Sequence, residues 1–304
     1  MTTDWKPQKP VTLIAGTPAG GGQDRPARAL LRALDAQQLL DVPVTLTNLP
    51  GRGGGNAWDK LAAQLGDPHL LAISSPALIS NFLLRVSPLA FTGLTPLANL
   101  YTEYSAFLVR ADSDIADAAD LLARLGRDPA AVRTAIATAR GNPNHIALAT
   151  VTQHAGGAVR ALAIDVFDSA RHAVAHVLDR KAPLAAITAA SAVPELEAGS
   201  LRALAVTAPR RLPGPFAQTP TWTELGVGCV TGLWRGLLAP PGLAAPARAF
   251  WERVLYAATR DAGWQAELAR HGWSDDFLVG AALEGFLADE QRTSAAALAE
   301  LGLL

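Results

Sequence analysis

Apolar positions along this chain follow two rhythms that alternate. Short apolar runs at Val11–Ala15 and at residues 70–73, 106–109, 132–138, 183–188 and 201–207 predict strands, as does the alternation of Val42, Val44 and Leu46. Between them, residues 27–40 place Leu30, Leu31 and Leu34 on one helical face. From Pro246, a residue suited to a first helical turn, Ala247, Phe250, Trp251, Val254, Leu255 and Ala258 recur at helix spacing. A terminal helix is expected with Leu283, Phe286, Leu287, Leu298 and Leu301 on one side. Strands interleaved with helical stretches imply parallel sheets with crossover helices, an α/β chain. Proline and glycine around residues 209–220 mark a crossing segment.

Composition narrows the partners. At 304 residues, 50% hydrophobic and only 17% charged, the chain has material for two ordinary α/β domains. Its 26 basic and 27 acidic residues leave a net charge of −1 with no basic stripe, which argues against nucleic acid. Cys229 is the single cysteine, so no internal disulfide and no cysteine-rich metal site is expected. No stretch has the length of a membrane span. The start, Met1-Thr2-Thr3-Asp4-Trp5-Lys6-Pro7, lacks the charged head and apolar stretch of a signal peptide. A cytoplasmic protein and one whose leader has been removed are both compatible with it.

The chemistry concentrates in turns that follow strands. Residues 18–28, P-A-G-G-G-Q-D-R-P-A-R, predict a glycine-rich turn running into a helix, with Asp24 as cap and Pro26 in the first turn. Amide groups at such a place hold an anion without lysine or metal. Gly51-Arg52-Gly53-Gly54-Gly55-Asn56 forms a second turn after a strand. Neither is a nucleotide loop: Gly22 stands where a phosphate loop needs lysine, and Asn56 breaks the dinucleotide spacing. A chain reversal that merely needs glycine is the plain alternative. Two turns at strand carboxyl ends, where open α/β sheets bind ligands, favour a crevice instead. Ala139-Arg140-Gly141-Asn142-Pro143-Asn144-His145 repeats the arrangement, with Asn144 as expected cap and Arg140 as a cation for a carboxylate. Ser74 and Ser75, at another strand end, are hydroxyl donors or ordinary polar terminators.

Catalytic chemistry is not indicated. Asp168, His172 and His176 share one face if they share a helix, but no H-E-x-x-H accompanies them, so a solvated face is the better reading than zinc. There is no G-x-S-x-G elbow, and Cys229 has no adjacent base. Trp234 reads as core or hinge packing. No cofactor is implied.

Taken in order, these segments resemble the Bug (TctC-like) family, the extracytoplasmic solute receptors of tripartite tricarboxylate transporters. The pattern P-x-G-G-x-x-D-x-x-A-R is met by Pro18, Gly20, Gly21, Asp24, Ala27 and Arg28, and N-x-P-G-x-G-G by Asn48, Pro50, Gly51, Gly53 and Gly54. Residues 199–207 look like G-x-L-R-A-L-A-V-T, residues 220–226 like P-T-x-x-E-x-G, and residues 234–240 like W-x-G-L-x-A-P. The resemblance spans nearly the whole chain. It implies a two-lobed periplasmic-binding-protein fold, each lobe a mixed sheet flanked by helices, closing on ligand like a flytrap. Residues 1–104 and 229–304 would form a discontinuous first domain and 105–228 the second. It implies a monomeric, non-catalytic, periplasmic receptor for a small carboxylate, delivering it to a membrane permease. The ligand contacts map to Thr17, Gly20, Gly21, Gly22, Gln23 and Asp24, to Ser74 and Ser75, and to Ala139, Arg140, Gly141, Asn142 and Asn144. Where the family has Y-x-G, this chain has Phe167-Asp168-Ser169, which brings Asp168 toward the site, and Arg52 and Arg140 add charge beside the glycine loops. An intracellular carboxylate sensor, and an enzyme of the same shape with Asp24 or Asp168 as base, are the rival readings.

Overall fold

The computed structural model describes residues 5–300 and 302–304; Leu301 and the opening Met1-Thr2-Thr3-Asp4 lie outside the described residues. In chain order the first elements are β1 (Val11–Ala15), α1 (Asp24–Ala36), β2 (Val44–Asn48), α2 (Gly55–Ala62), β3 (Leu70–Ser74) and α3 (Ala77–Leu83). Next come β4 (Thr95–Arg110), α4 (Ala118–Arg127), β5 (Thr134–Ala137), α5 (Pro143–His154), β6 (Ile164–Phe167) and α6 (Ala170–Leu178). The chain continues through β7 (Leu184–Thr188), α7 (Val193–Glu197), β8 (Leu201–Val206) and β9 (Gly232–Ala239). It ends in α8 (Ala245–Thr259), α9 (Ala262–His271) and α10 (Gly280–Glu300).

The contacts divide the chain into two compact units, one of residues up to 102 with 234–293, the other of 103–233 with 294–304. The expected boundaries fell after 104 and 228. The expectation also gave the whole C-terminus to the first domain, whereas residues 294–304 pack with the second unit.

In the first unit β1 lies between β2 and β3, both parallel to it, and β9 pairs antiparallel with β3. β1 is covered on both faces. Val11, Leu13 and Ala15 join the core under α1, α8 and α9, while Ile14 joins the core under α2, α3 and α10. Double burial explains why β1 and β3 read as continuous apolar runs instead of alternating. Four fully buried tryptophans and tyrosines anchor these cores, among them Trp58, Trp251 and Trp264. The Trp58 indole donates to the Ile73 carbonyl at 2.9 Å, which satisfies its polar edge.

In the second unit β5 lies between β6 and β7 in parallel, while β4 runs antiparallel to both β7 and β8. Phe107, Val109, Ile136 and Leu184 face one core; Ala106, Leu108, Ala135 and Ile187 face the other. β6 is the edge strand, with Ile164 buried and Val166 exposed. The sequence pattern missed β6 and β9 and shortened β4 to four residues. The reason in β4 is polar residues that the fold buries: Asn99 donates to the Asp276 carbonyl at 2.8 Å, and Ser105 to Asn144 at 2.6 Å. Among the described residues no helix is long and apolar enough to cross a membrane.

Candidate functional site

Two turns, one in each unit, follow the carboxyl ends of central parallel strands. In the first unit β1 empties into residues 16–23, with Ser74 and Ser75 at the adjacent end of β3. Thr17, Ser74 and Ser75 are all buried. Gln23 ties these pieces together. Its Oε1 accepts the Gly16 N–H at 2.9 Å, and its Nε2 donates to the Gly53 carbonyl at 3.3 Å and reaches the Ser75 hydroxyl at 3.5 Å. The bracket works only because two backbones touch. A Cβ on Gly16 would stand 2.5 Å from the Gly54 Cα, and Gly54 itself has φ of 112°.

Asp24 does not cap α1. The capping position is Gln23, which makes no side-chain cap bond, and Asp24 is the first helical residue. Its buried carboxylate instead accepts the Gly20 N–H at 2.8 Å, the Arg28 Nε at 2.7 Å and the Asn48 Nδ2 at 2.9 Å. Burial pushes its pKa up, but these three bonds and the Arg28 charge outweigh it and hold the carboxyl below its ordinary value. Asn48 also donates to the Thr17 carbonyl at 2.9 Å, so both glycine turns hang on one carboxylate.

The expected cradle of loop amides is largely consumed inside the chain. Gly21 N–H donates to the Pro18 carbonyl at 2.9 Å, Gln23 N–H to the Thr17 hydroxyl at 3.2 Å, and Asp24 N–H to the Gly21 carbonyl at 3.1 Å. Among the described residues of this turn, the Gly22 N–H has no acceptor in the chain, and neither does the Ser74 hydroxyl have a partner. The donors left for a ligand are therefore Gly22, the hydroxyls of Thr17, Ser74 and Ser75, and few others. Beside them lies a cation that the sequence reading passed over. Arg235, on β9, is buried, and its Nε donates to the Gly22 carbonyl at 3.2 Å. It occupies the variable position of W-x-G-L, where only the placement of β9 shows its direction. Next to it Gly236 pairs with Ser74, and a Cβ there would stand 2.5 Å from the Ala98 carbonyl and 2.8 Å from the Ser74 hydroxyl. Arg52 is turned to α2, paired with Asp59 and bonded to Asn56 at 3.0 Å.

In the second unit the helix cap is Asn142, not Asn144. The Asn142 Oδ1 accepts the His145 N–H at 3.0 Å, and Pro143 takes the first turn. Asn144 is buried within the helix, accepts the Ser105 hydroxyl, and among the described residues its Nδ2 has no partner in the chain. Ala139 closes a tight turn, its N–H on the Ala137 carbonyl at 3.1 Å. Gly141 donates to the His145 Nδ1 at 2.8 Å. Arg140 is drawn to the sheet edge, with its guanidinium on the Ile164 carbonyl at 3.0 Å. Asp168 is exposed and precedes the Ser169 cap of α6, so it does not share a helical face with His172 and His176. His176 bonds Asp165 at 3.1 Å. Among the described residues no cluster suits a metal ion. Burial raises the Cys229 thiol to about 11, so it is no nucleophile at neutral pH. Trp234 is buried, with its indole on Glu290 at 2.9 Å.

Residues 28–293 match the sequence pattern of the tripartite tricarboxylate transporter family receptor, TctC. The chain belongs to that family. This receptor is 26% identical to Protein BugT of Bordetella pertussis over 99% of its own length and 92% of the relative's. Its fold matches an R. palustris protein solved with adipate, at TM-score 0.85 and 20% identity, over 97% and 98% of the two chains. It also matches MatC of Rhodopseudomonas palustris with bound malate, at TM-score 0.82 and 20% identity, over 96% and 99%. The fold is thus the two-lobed periplasmic-binding-protein type, and the chain is a solute-binding receptor, not an enzyme.

Proposed function

We propose that this receptor captures a small organic carboxylate and presents it to the membrane components of a tripartite tricarboxylate transporter, acting in the periplasm. The observation that carries the ligand class is the donor set at the ends of β1 and β3. The buried hydroxyls of Thr17 and Ser74 and the Gly22 amide are neutral donors beside the buried Arg235, and the one carboxylate among them, Asp24, is neutralised by Arg28 and Asn48. Such a place has hydrogen bonds to give to an acidic guest, and the Asp24 charge there is already matched by Arg28. Each bond to a carboxylate contributes about 1.5–3 kcal/mol, so a few are enough for micromolar affinity. The relatives solved with malate and with adipate support the same class. Family membership supports the transporter partner and the compartment.

A thermal-shift panel of mono-, di-, tri- and aromatic carboxylates tests this, since a ligand of the native form raises the midpoint by mass action. At least one acid is expected to shift the wild type, with Ser74→Ala weakening its calorimetric affinity at least fivefold. A panel without any shift, alongside a clear shift from a cationic or neutral solute, would overturn the carboxylate reading.

A further inference from the structure

His145 has no part in the family pattern quoted above, yet it sits where the second turn is decided. Its side chain is buried, with 3% exposure, in the first turn of α5. The Nδ1 accepts the Gly141 N–H at 2.8 Å. A nitrogen that accepts carries no proton, so the ring is the neutral tautomer protonated at Nε2. Protonating Nδ1 would set two donors against each other. Burial, and secondarily the Arg140 charge, disfavour that and bring the pKa down to about 4.

What the ring holds is under strain. Thr138 has φ of 73° and Gly141 also 73°, so a β-branched residue is kept in the left-handed region at one end of the turn. Strain of that kind persists only when its surroundings over-determine it. The Asn142 Nδ2 bonds the Ala137 carbonyl at 2.6 Å and the Thr138 hydroxyl at 2.9 Å from one side. The imidazole fixes Gly141 from the other. Without its acceptor the buried Gly141 amide would lie unpaired, and relaxing the turn would be the way to recover a partner.

We propose that His145 is a positioning residue for ligand capture: its neutral imidazole latches the Gly141 amide and keeps turn 138–142 in its binding shape. The link to capture rests on the carboxylate reading above, whereas the latch itself does not. Two full-length variants separate the acceptor from mere bulk. In His145→Asn the side-chain oxygen takes the Nδ1 place and accepts; His145→Leu fills space without accepting. Three readouts apply, on protein shown by circular dichroism to be folded. Nitrogen NMR of the wild type is expected to show Nδ1 unprotonated at pH 7. Gly141 amide exchange is expected to speed up at least tenfold in H145L and to stay within threefold of wild type in H145N. Calorimetry with malate and adipate is expected to show at least tenfold weaker binding for H145L, about 1.4 kcal/mol, with H145N near wild type. A protonated Nδ1, equal Gly141 exchange in all three proteins, or equal affinity of the two variants overturns the proposal. A wild type that binds neither acid, with the exchange difference intact, sinks the carboxylate reading for those acids and leaves the latch supported.

Discussion

The two turns solve one problem in opposite ways. Each must hold an irregular stretch in place at the end of a parallel strand. The first unit uses an ion: the Asp24 carboxylate gathers Gly20, Arg28 and Asn48, while Gln23 bridges three backbone segments packed at glycine contact. The second uses neutral groups alone, the Asn142 amide and the His145 imidazole. The buried Asp24 charge is sustained by the half-exposed Arg28 beside it, whereas a buried brace without a counter-charge is cheaper when uncharged. Acid should therefore loosen the two turns in different pH windows, and sequence changes should damage them by different routes.

The strongest way to break the comparison is Gly16→Val. A side chain there meets the Gly54 backbone, and neither partner can move without releasing Gln23. Overpacking of this kind is expected to cost roughly 3 kcal/mol and to abolish carboxylate binding. A urea midpoint unchanged from wild type would show that the two glycine turns are not in register contact.

Next in size is a pH slope that belongs to the second turn. His145 titrates at about 4 in the folded chain against 6.5 for the free group. Between those values the unfolded chain binds the extra proton, so wild-type stability falls as the pH drops from 6.5 toward 4, by up to about 3 kcal/mol. His145→Asn should lack this part of the slope. Parallel stability curves for the two proteins across that interval would contradict the neutral latch.

Asp24→Asn sharpens the other side. The carboxylate is depressed, so its contribution is complete above the ordinary value of 3.8 and fades as the pH falls through the lower folded value. At pH 7 the variant is expected to be about 2 kcal/mol less stable, since bonds to a charged acceptor are lost. The gap should close only in strong acid, below the window of His145. A gap that already closes near pH 6 would assign the effect elsewhere.

The smallest effect is expected from Arg140→Ala. From sequence it was expected to serve as a cation for the ligand's carboxylate. With its guanidinium on the Ile164 carbonyl at the sheet edge, affinity for the best carboxylate is expected to change less than twofold. A tenfold loss by calorimetry would return Arg140 to the site.

Legibility followed physical scale. The alternation of strands and helices was readable because double burial writes itself into apolar runs such as Val11–Ala15, and the glycine turns because backbone contact excludes side chains. Burial of polar residues hid the rest. Asn99 and Ser105 concealed most of β4, and the capping positions slid by one residue, from Asp24 to Gln23, and by two, from Asn144 to Asn142. A cap depends on a dihedral angle and a reach of about 3 Å, and several adjacent polar residues satisfy the same local pattern.

The order of motifs, the fold class and the family were thus written in the residues themselves, because they depend on local propensity and on which positions must be apolar or small. Which donors remain open could be settled only by tertiary structure. Gly20, Gly21 and Gln23 spend their amides on partners brought by folding, Arg235 arrives on a strand from the far end of the chain, and His145 acquires its role from a single 2.8 Å contact. A hydrogen bond made inside the chain is one that no ligand can take, and that exchange is decided between residues distant in sequence as often as between neighbours.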